Sequence, residues 1–153
     1  MTETERVVKE IAVNRRARRN YEILETLEAG LALSGTEVKT LRAGRISLEE
    51  AYVKQIEGEL WLVGAHIAEY LEGNIFNHEP TRARRLLVHR KELRKWSQKT
   101  KEKGLTMIPL KLYFHGKWAK LLIALARGRR THDKRQELRK KESQKVLRGL
   151  RRR

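Results

Sequence analysis

Cysteine is absent from this chain of 153 residues, and aspartate occurs once, at Asp133. Without sulfur there can be no disulfide, zinc finger, zinc ribbon or thiol nucleophile. Carboxylate clusters are equally scarce: a two-metal nuclease gathers several acids at one point, whereas here eighteen glutamates and one aspartate are scattered. The five histidines, His66, His78, His89, His115 and His132, form no H-E-x-x-H pair. No P-loop, G-x-S-x-G or dinucleotide-binding glycine pattern occurs either. No enzyme activity, metal or cofactor is therefore expected. Apolar runs stay far short of the roughly 18 residues needed to span a bilayer. Glu3, Glu5, Lys9 and Glu10 stand where a secretory signal would be apolar. A cytoplasmic protein without a membrane partner is the expectation.

Positive charge is what the chain has in excess, with 36 Lys+Arg against 19 Asp+Glu and a formal net charge of +17. Residues 127–153 hold thirteen of those cations and only three acids, Asp133, Glu137 and Glu142. Leu138, Val146, Leu147 and Leu150 are the sizeable apolar residues there, too few to offset the entropy of ordering the segment. We expect a tail that is disordered when free. Its Leu, Arg, Lys, Gln and Glu content, with Glu137 four positions before Lys141, favours a helix once a polyanion neutralises it. A block of this kind reads as a nucleic-acid arm, with a purely solubilising tail as the alternative. Two further basic stretches lie in the body. Arg15, Arg16, Arg18 and Arg19 fall within five residues, and residues 82–103 carry ten Lys/Arg against Glu92 and Glu102.

The body, with 39% hydrophobic residues, supports a real core. Tyr21, Ile23, Leu27, Ala29, Leu31 and Leu33 share one parity, the pattern of a half-buried strand. Ser34 and Glu37 form a capping box, with Leu33 placed to staple against Val38. A short helix starting at Gly35 follows, its inner face marked by Val38 and Leu41, and Gly44 ends it. Strand-like residues 51–56 lead through a tight Glu57-Gly58 turn to a second apolar run at 60–67, where Gly64 marks a bend or bulge. Residues 89–103 read as a helix closed by Gly104. Ile108, Leu110, Leu112 and Phe114 then alternate, His115-Gly116 turns, and residues 118–126 are again apolar. Strands outnumber helices. The fold class is mainly β with short α-helices, an antiparallel barrel of the oligonucleotide-binding type, with an α+β sandwich as competitor. Boundaries are placed at an arm of residues 1–13, a barrel of 14–126 and the basic tail of 127–153.

Lys39, Arg42 and Arg45, on or just past the capped helix, are candidates for phosphate contacts, against a merely solvated helix face. Trp61, Trp96 and Trp118 fall on core parity and read as packing. His66 reads as a core or rim residue. His132 and Asp133 could be taken for a catalytic pair, yet they sit among cations with no pocket in prospect. A stacking imidazole beside phosphate-binding cations is the better role.

Many short matches carry a family resemblance: N-R-R-A-R at 14–18, Y-E at 21–22, E-A-G-L-A-L-S-G at 28–35, E-V-K at 37–39 and L-R-A-G at 41–44. A-Y at 51–52, G-E at 58–59, P-T-R-A-R-R-L-L at 80–87, P-L at 109–110, Gly128 and H-D-K-R at 132–135 continue it. In that order they resemble the SsrA-binding protein family, also called small protein B. The resemblance implies an oligonucleotide-binding-type barrel that binds the tRNA-like domain of transfer-messenger RNA near its D-loop and elbow. It implies promotion of alanine charging and delivery with elongation factor Tu to stalled ribosomes, so alanyl-tRNA synthetase and that factor are partners indirectly, through the RNA. The tail would enter the small-subunit decoding centre and empty mRNA channel as a helix.

By motif, Asn14, Glu28 and Leu87 match positions tied to RNA binding or to supporting that surface, and Arg15, Arg16 and Arg18 belong to the same run. For Leu87 a buried strand residue is the competing reading. Glu28 would position a cation or accept from a base edge. Gly128, Arg129, Arg130, His132, Asp133, Lys134 and Arg135 match the start of the ribosome-acting tail, although the family often has lysines at 129 and 130. Beyond Gln136 the match is one of composition. Two other functions remain open: a ribosomal or RNA-chaperone protein without transfer-messenger RNA specificity, and, more remotely, a nuclease using His132 and Asp133.

Overall fold

Antiparallel hairpins organise the computed structural model, which describes residues 8–72 and 77–128. In chain order the elements are β1 (Val8–Val13), a single-turn α1 (Ala17–Asn20), β2 (Tyr21–Leu31), α2 (Gly35–Arg42), β3 (Ile46–Ser47), β4 (Tyr52–Ile56), β5 (Glu59–Val63), β6 (His66–Ile67), β7 (Arg84–Leu87), α3 (Arg90–Lys103), β8 (Thr106–His115) and β9 (Trp118–Gly128). Seven strands form one sheet in the order β1-β8-β9-β2-β7-β5-β4, and β3 pairs with β6. The sheet curls until β4 meets β8, which encloses a core of Leu41, Leu60, Leu62, Ile67, Leu112, Leu121, Ile123 and Leu125. This is the expected mainly β, barrel-like architecture. Two boundaries differ from the sequence reading. Residues 8–13, expected as an arm, form the edge strand β1 on β8, and β9 continues past residue 126 to Gly128.

Local chemistry accounts for the turns. Glu57 at φ 51° and Gly58 at φ 77° make the two-residue turn between β4 and β5, a geometry with both central residues left-handed that suits the twist of a hairpin. Gly64 does more than bend its strand. At φ 81°, a Cβ there would stand 2.5 Å from the Glu50 carbonyl oxygen, so the apolar run at 60–67 is split into β5 and β6. Its burial is also one-sided: Leu60 and Leu62 are buried, while Glu59, Trp61 and Val63 are half-buried.

Three bulges decide which side chains reach the core. On β2 the register passes from Ile23↔Ala126 to Glu25↔Leu125, leaving Leu24 as the extra residue. Tyr21 and Ile23 therefore pack outside the barrel while Leu27, Ala29 and Leu31 point in, although all five share one parity. The same happens on β8, where the register slips between Pro109 and Lys111. Ile108 and Leu110 join the outer cluster, and Leu112 and Phe114 the inner one. β1 slips once more between Glu10 and Ala12. One inserted residue reverses the face of everything beyond it.

Glu37 ties the capped helix to the sheet. Its carboxylate accepts from the Ser34 backbone N–H at 2.8 Å, completing the capping box with the Ser34 hydroxyl. It also accepts from Arg82 Nη2 at 2.5 Å and from Arg84 Nε at 2.7 Å. Arg84 is fully buried, and its remaining N–H groups donate to the carbonyls of Ala65 at 2.8 Å and Pro80 at 3.0 Å. Beside them the buried His78 bridges Thr36 and the Ile67 carbonyl, both at 2.9 Å. The carbonyl can only accept, so Nε2 carries a proton and donates to it. Burial by itself would raise the Glu37 carboxyl, but hydrogen bonds from Arg82, Ser34 and Arg84 outweigh it and hold the group below its ordinary 4.5.

Removing Glu37 leaves Arg84 charged and unpaired in the core. Glu37→Ala is expected to cost about 3–5 kcal/mol in urea unfolding, whereas Arg82→Gln, at a partly exposed site, should cost about 1 kcal/mol. A lowered folded pKa means that the ionised group stabilises the fold above its unfolded range. That contribution should disappear as pH falls from about 4.5 through the lowered value. Glu37→Gln should lose this acid-side dependence, and an unchanged pH profile in the variant would refute the assignment.

Candidate RNA interface

Strand registers lay out the outer face row by row. Glu10, Tyr113, Lys120, Gly30 and Leu87 stand side by side across β1, β8, β9, β2 and β7. Lys111, Leu122 and Glu28 form the adjoining row on one side, and Val8, His115 and Trp118 the row on the other. Past Leu122 the face is covered by α1, whose Ala17 packs with Ile108, Leu110, Ala124 and Ala126. Arg15, Arg16, Arg18 and Arg19 are exposed around that turn of helix. Arginine run, Glu28 and Leu87 thus share one continuous surface.

Glu28 is exposed but not loose, because the Tyr113 hydroxyl, 85 positions away in sequence, donates to its carboxylate. Burial first, and then that carboxylate, push the Tyr113 phenol well above its ordinary 10, so it remains a donor throughout the physiological range. Leu87 is 50% exposed, which overturns the buried-strand reading. The inner slots of β7 belong to Arg84 and Leu86, and Arg85 and Leu87 face out. Gly30 lets Leu87 lie against the sheet, since a Cβ there would meet the Leu87 Cβ at 3.3 Å. Asn14 braces this region. Its side-chain amide donates to the Pro109 carbonyl at 2.9 Å and its backbone N–H to the Leu110 carbonyl at 2.7 Å, holding the start of α1 on β8.

Other candidates lie elsewhere. Lys39 and Arg42 project from α2 and Arg45 from the turn after it, apart from the Glu28 row. All three are exposed, with the Lys39 ammonium 5.3 Å from the Tyr70 ring and the Arg42 guanidinium 5.0 Å from the Phe114 ring. Gly128 pairs with Tyr21 at the end of β9. Arg129, Arg130, His132, Asp133, Lys134 and Arg135 lie outside the described residues. His66 is exposed, a rim position. Among the described residues no group of His, Asp and Glu could hold a metal, and no helix is long and apolar enough to cross a membrane. Sequence reasoning missed Tyr113, because its partner is 85 positions away in sequence. It also misjudged Trp118. Trp96 is buried and Trp61 half-buried, but Trp118 is 56% exposed in the hairpin, with the Lys117 ammonium 5.2 Å from its ring.

A small antiparallel barrel that presents arginines, an anchored carboxylate and exposed Leu and Trp side chains on one sheet face has the make-up of a nucleic-acid-binding β-barrel. The family model described as SmpB protein matches residues 11–152. The chain belongs to the SmpB family. It is 50% identical to the SsrA-binding protein of Carboxydothermus hydrogenoformans over 139 residues, 91% of this chain and 93% of that one. To the SsrA-binding protein of Trichormus variabilis it is 48% identical over 148 residues, 96% of each. A solved structure described as "tmRNA-SmpB: a journey to the center of the bacterial ribosome" contains a similar chain. The TM-score is 0.63 at 50% identity, over 78% of this chain and 84% of that one.

The exposure difference among the tryptophans is directly measurable. Iodide should quench a large part of the emission, Trp118→Phe should remove most of the accessible component, and Trp96→Phe should leave it. Equal accessibility in the two variants would contradict the outward placement of Trp118.

Proposed function

We propose that this protein is an RNA-binding factor of trans-translation. It binds the tRNA-like domain of transfer-messenger RNA with the outer face around Glu28 and Leu87, and it brings that RNA to stalled ribosomes. The observation that carries the reading is about 50% identity, over most of the chain, to proteins named for SsrA binding, together with the placement of Glu28, Leu87 and the arginine run on one surface. Arg15, Arg16 and Arg18 would hold phosphates there. Asn14 would act by bracing the turn that carries them, and Tyr113 by aiming Glu28. Lys39, Arg42 and Arg45 would take phosphates on a second flank. The basic tail, residues 129–153 beyond the end of β9 at Gly128 and outside the described residues, would enter the decoding centre and mRNA channel. There Gly128 would give the exit, His132 would stack, and Arg129, Arg130, Asp133, Lys134 and Arg135 would lie against ribosomal RNA. Alanyl-tRNA synthetase and elongation factor Tu would meet the protein through the RNA. No catalysis is assigned to it, and its place is the cytoplasm.

Binding to the tRNA-like domain, to an ordinary tRNA and to a duplex of the same length, measured at several salt concentrations, tests this. Preference for the tRNA-like domain should survive high salt, because contact geometry does not scale with counterion release. Glu28→Ala should weaken that binding about tenfold, the loss of roughly one good contact, and Tyr113→Phe should do so severalfold. Deletion from Gly128 onward should spare binding to the tRNA-like domain and abolish peptide tagging on stalled ribosomes. Equal affinity for all three RNAs, lost together with salt, would instead favour a ribosomal or chaperone protein.

A further inference from the structure

The basic stretch at 82–103 is only partly accounted for by internal pairing. Arg82 and Arg84 are engaged by Glu37, Arg85 pairs with Glu59 at 2.5 Å, and Lys99 pairs with Glu25, whose carboxyl it holds below its ordinary value. Arg90, Arg94 and Lys101 are different. All three are exposed, and none has an ion-pair partner among the described residues. At 3.6 residues per turn they fall within about 40° of one another, so they form a single file roughly 16 Å long on one side of α3.

That file borders a groove of about 680 Å³ between α3 and the β4–β5 hairpin. Leu87, Val88 and Leu93 give the groove an apolar floor, and the left-handed turn at Gly58 forms its far wall. A cleft of this size suits a nucleotide rather than a duplex groove. Leu87 belongs both to this floor and to the Gly30 row that adjoins Glu28, so the groove continues the outer face without a break. The hairpin wall carries Glu57 and the Arg85-paired Glu59, so the cations without a partner edge the α3 side alone, and an apolar floor beside such an edge is the chemistry of a base laid flat beside its phosphates.

We infer that the groove holds an unpaired nucleotide of the same RNA that crosses Glu28 and Leu87. Its base lies on Leu87, Val88 and Leu93, and its flanking phosphates meet Arg90, Arg94 and Lys101. The inference rests on the RNA-binding reading above and adds a second contact site to it. An acidic protein segment would satisfy the cations but would leave the apolar floor of Leu87, Val88 and Leu93 without use.

The test compares two charge-matched triple variants of the full chain on the tRNA-like domain of transfer-messenger RNA. R90Q/R94Q/K101Q removes the file, and K91Q/K95Q/K103Q removes three cations from other faces of α3. All six positions are surface positions, and equal unfolding midpoints would confirm intact folds. The groove variant should bind at least tenfold more weakly near physiological salt. Its log–log salt dependence should be shallower by about two, the release expected for three single-strand phosphate contacts. The other variant should stay within about threefold of wild type. A nucleotide shielded from base-modifying reagents by wild-type protein should become reactive with the groove variant. Equal losses in the two triples, or an unchanged slope in the groove variant, would overturn the inference. The trans-translation reading fails separately, if wild-type protein shows no preference for the tRNA-like domain over ordinary tRNA. The groove comparison can still be made on whatever RNA the wild type binds.

Discussion

A single buried carboxylate decides how the sheet presents itself. Glu37 is fully buried and needs donors, and it draws Arg84 into the inner slot of β7. Strand side chains alternate, so Arg84 inside puts Arg85 outside, Leu86 inside and Leu87 outside. The opposite register would bury Leu87, expose Leu86 and strand Glu37 without Arg84. A hydrophobic pair in the same volume would stabilise the core at least as well. What it could not do is distinguish between two apolar registers that differ by one residue. The ion pair makes the wrong register expensive, and the exposure of Leu87 follows from it. Because the same carboxylate completes the capping box of α2, helix start and strand register answer to one group.

Much of this was readable in the sequence, and the failures have a common cause. The capping box at Ser34 and Glu37, the Glu57-Gly58 turn, α3 with its left-handed Gly104, and the β8–β9 hairpin follow from local signals that a short window contains. The bulges on β1, β2 and β8 carry no such signal. Ile23 and Leu27 look equivalent by parity, as do Leu110 and Leu112, yet each pair is divided between two clusters. An inserted residue leaves the alternation of side-chain types intact and changes only their destination. Placing α1 required the same outer cluster, because Ala17 has nothing to cover unless Ile108 and Leu110 face outward. Glu28 and Leu87 were found through motif similarity rather than periodicity. Their juxtaposition with Tyr113 and Gly30 is a property of strand order alone.

Charge and geometry divide the labour of recognition. Outside residues 127–153 the chain has 23 Lys/Arg and 16 acids, a modest excess. Several of those acids are already matched, in Glu25–Lys99, Glu59–Arg85 and the Glu37 pair. The body is therefore a surface of placed cations, gathered at the α1 turn and along α3, rather than a uniform field. Residues 127–153, at +10, are the reverse in composition: dense charge with little apolar content. A field of that kind attracts any polyanion and is screened within roughly 8 Å at physiological salt. It speeds encounter and cannot tell one RNA from another.

Discrimination must then act at contact range, and Glu28 has the right sign for it. A carboxylate on a face meant for RNA repels phosphate. On the proposed interface it is tolerated only where a base-edge amino group or a ribose hydroxyl arrives to donate to it. An RNA that brings a phosphate to that point loses the contact and meets repulsion as well, so the energy gap between right and wrong partners exceeds the strength of the right contact alone. Such a filter works only if the carboxylate cannot swing aside. The Tyr113 hydroxyl, kept protonated by burial and by Glu28 itself, supplies that restraint from β8, reaching across β9. Tyr113 sits opposite Lys120, with Leu112 and Phe114 inside the barrel on either side, because the β8 bulge reversed the faces before it. Reach across β9 is what assembles the site, and it is a property of strand order that no local window of sequence contains.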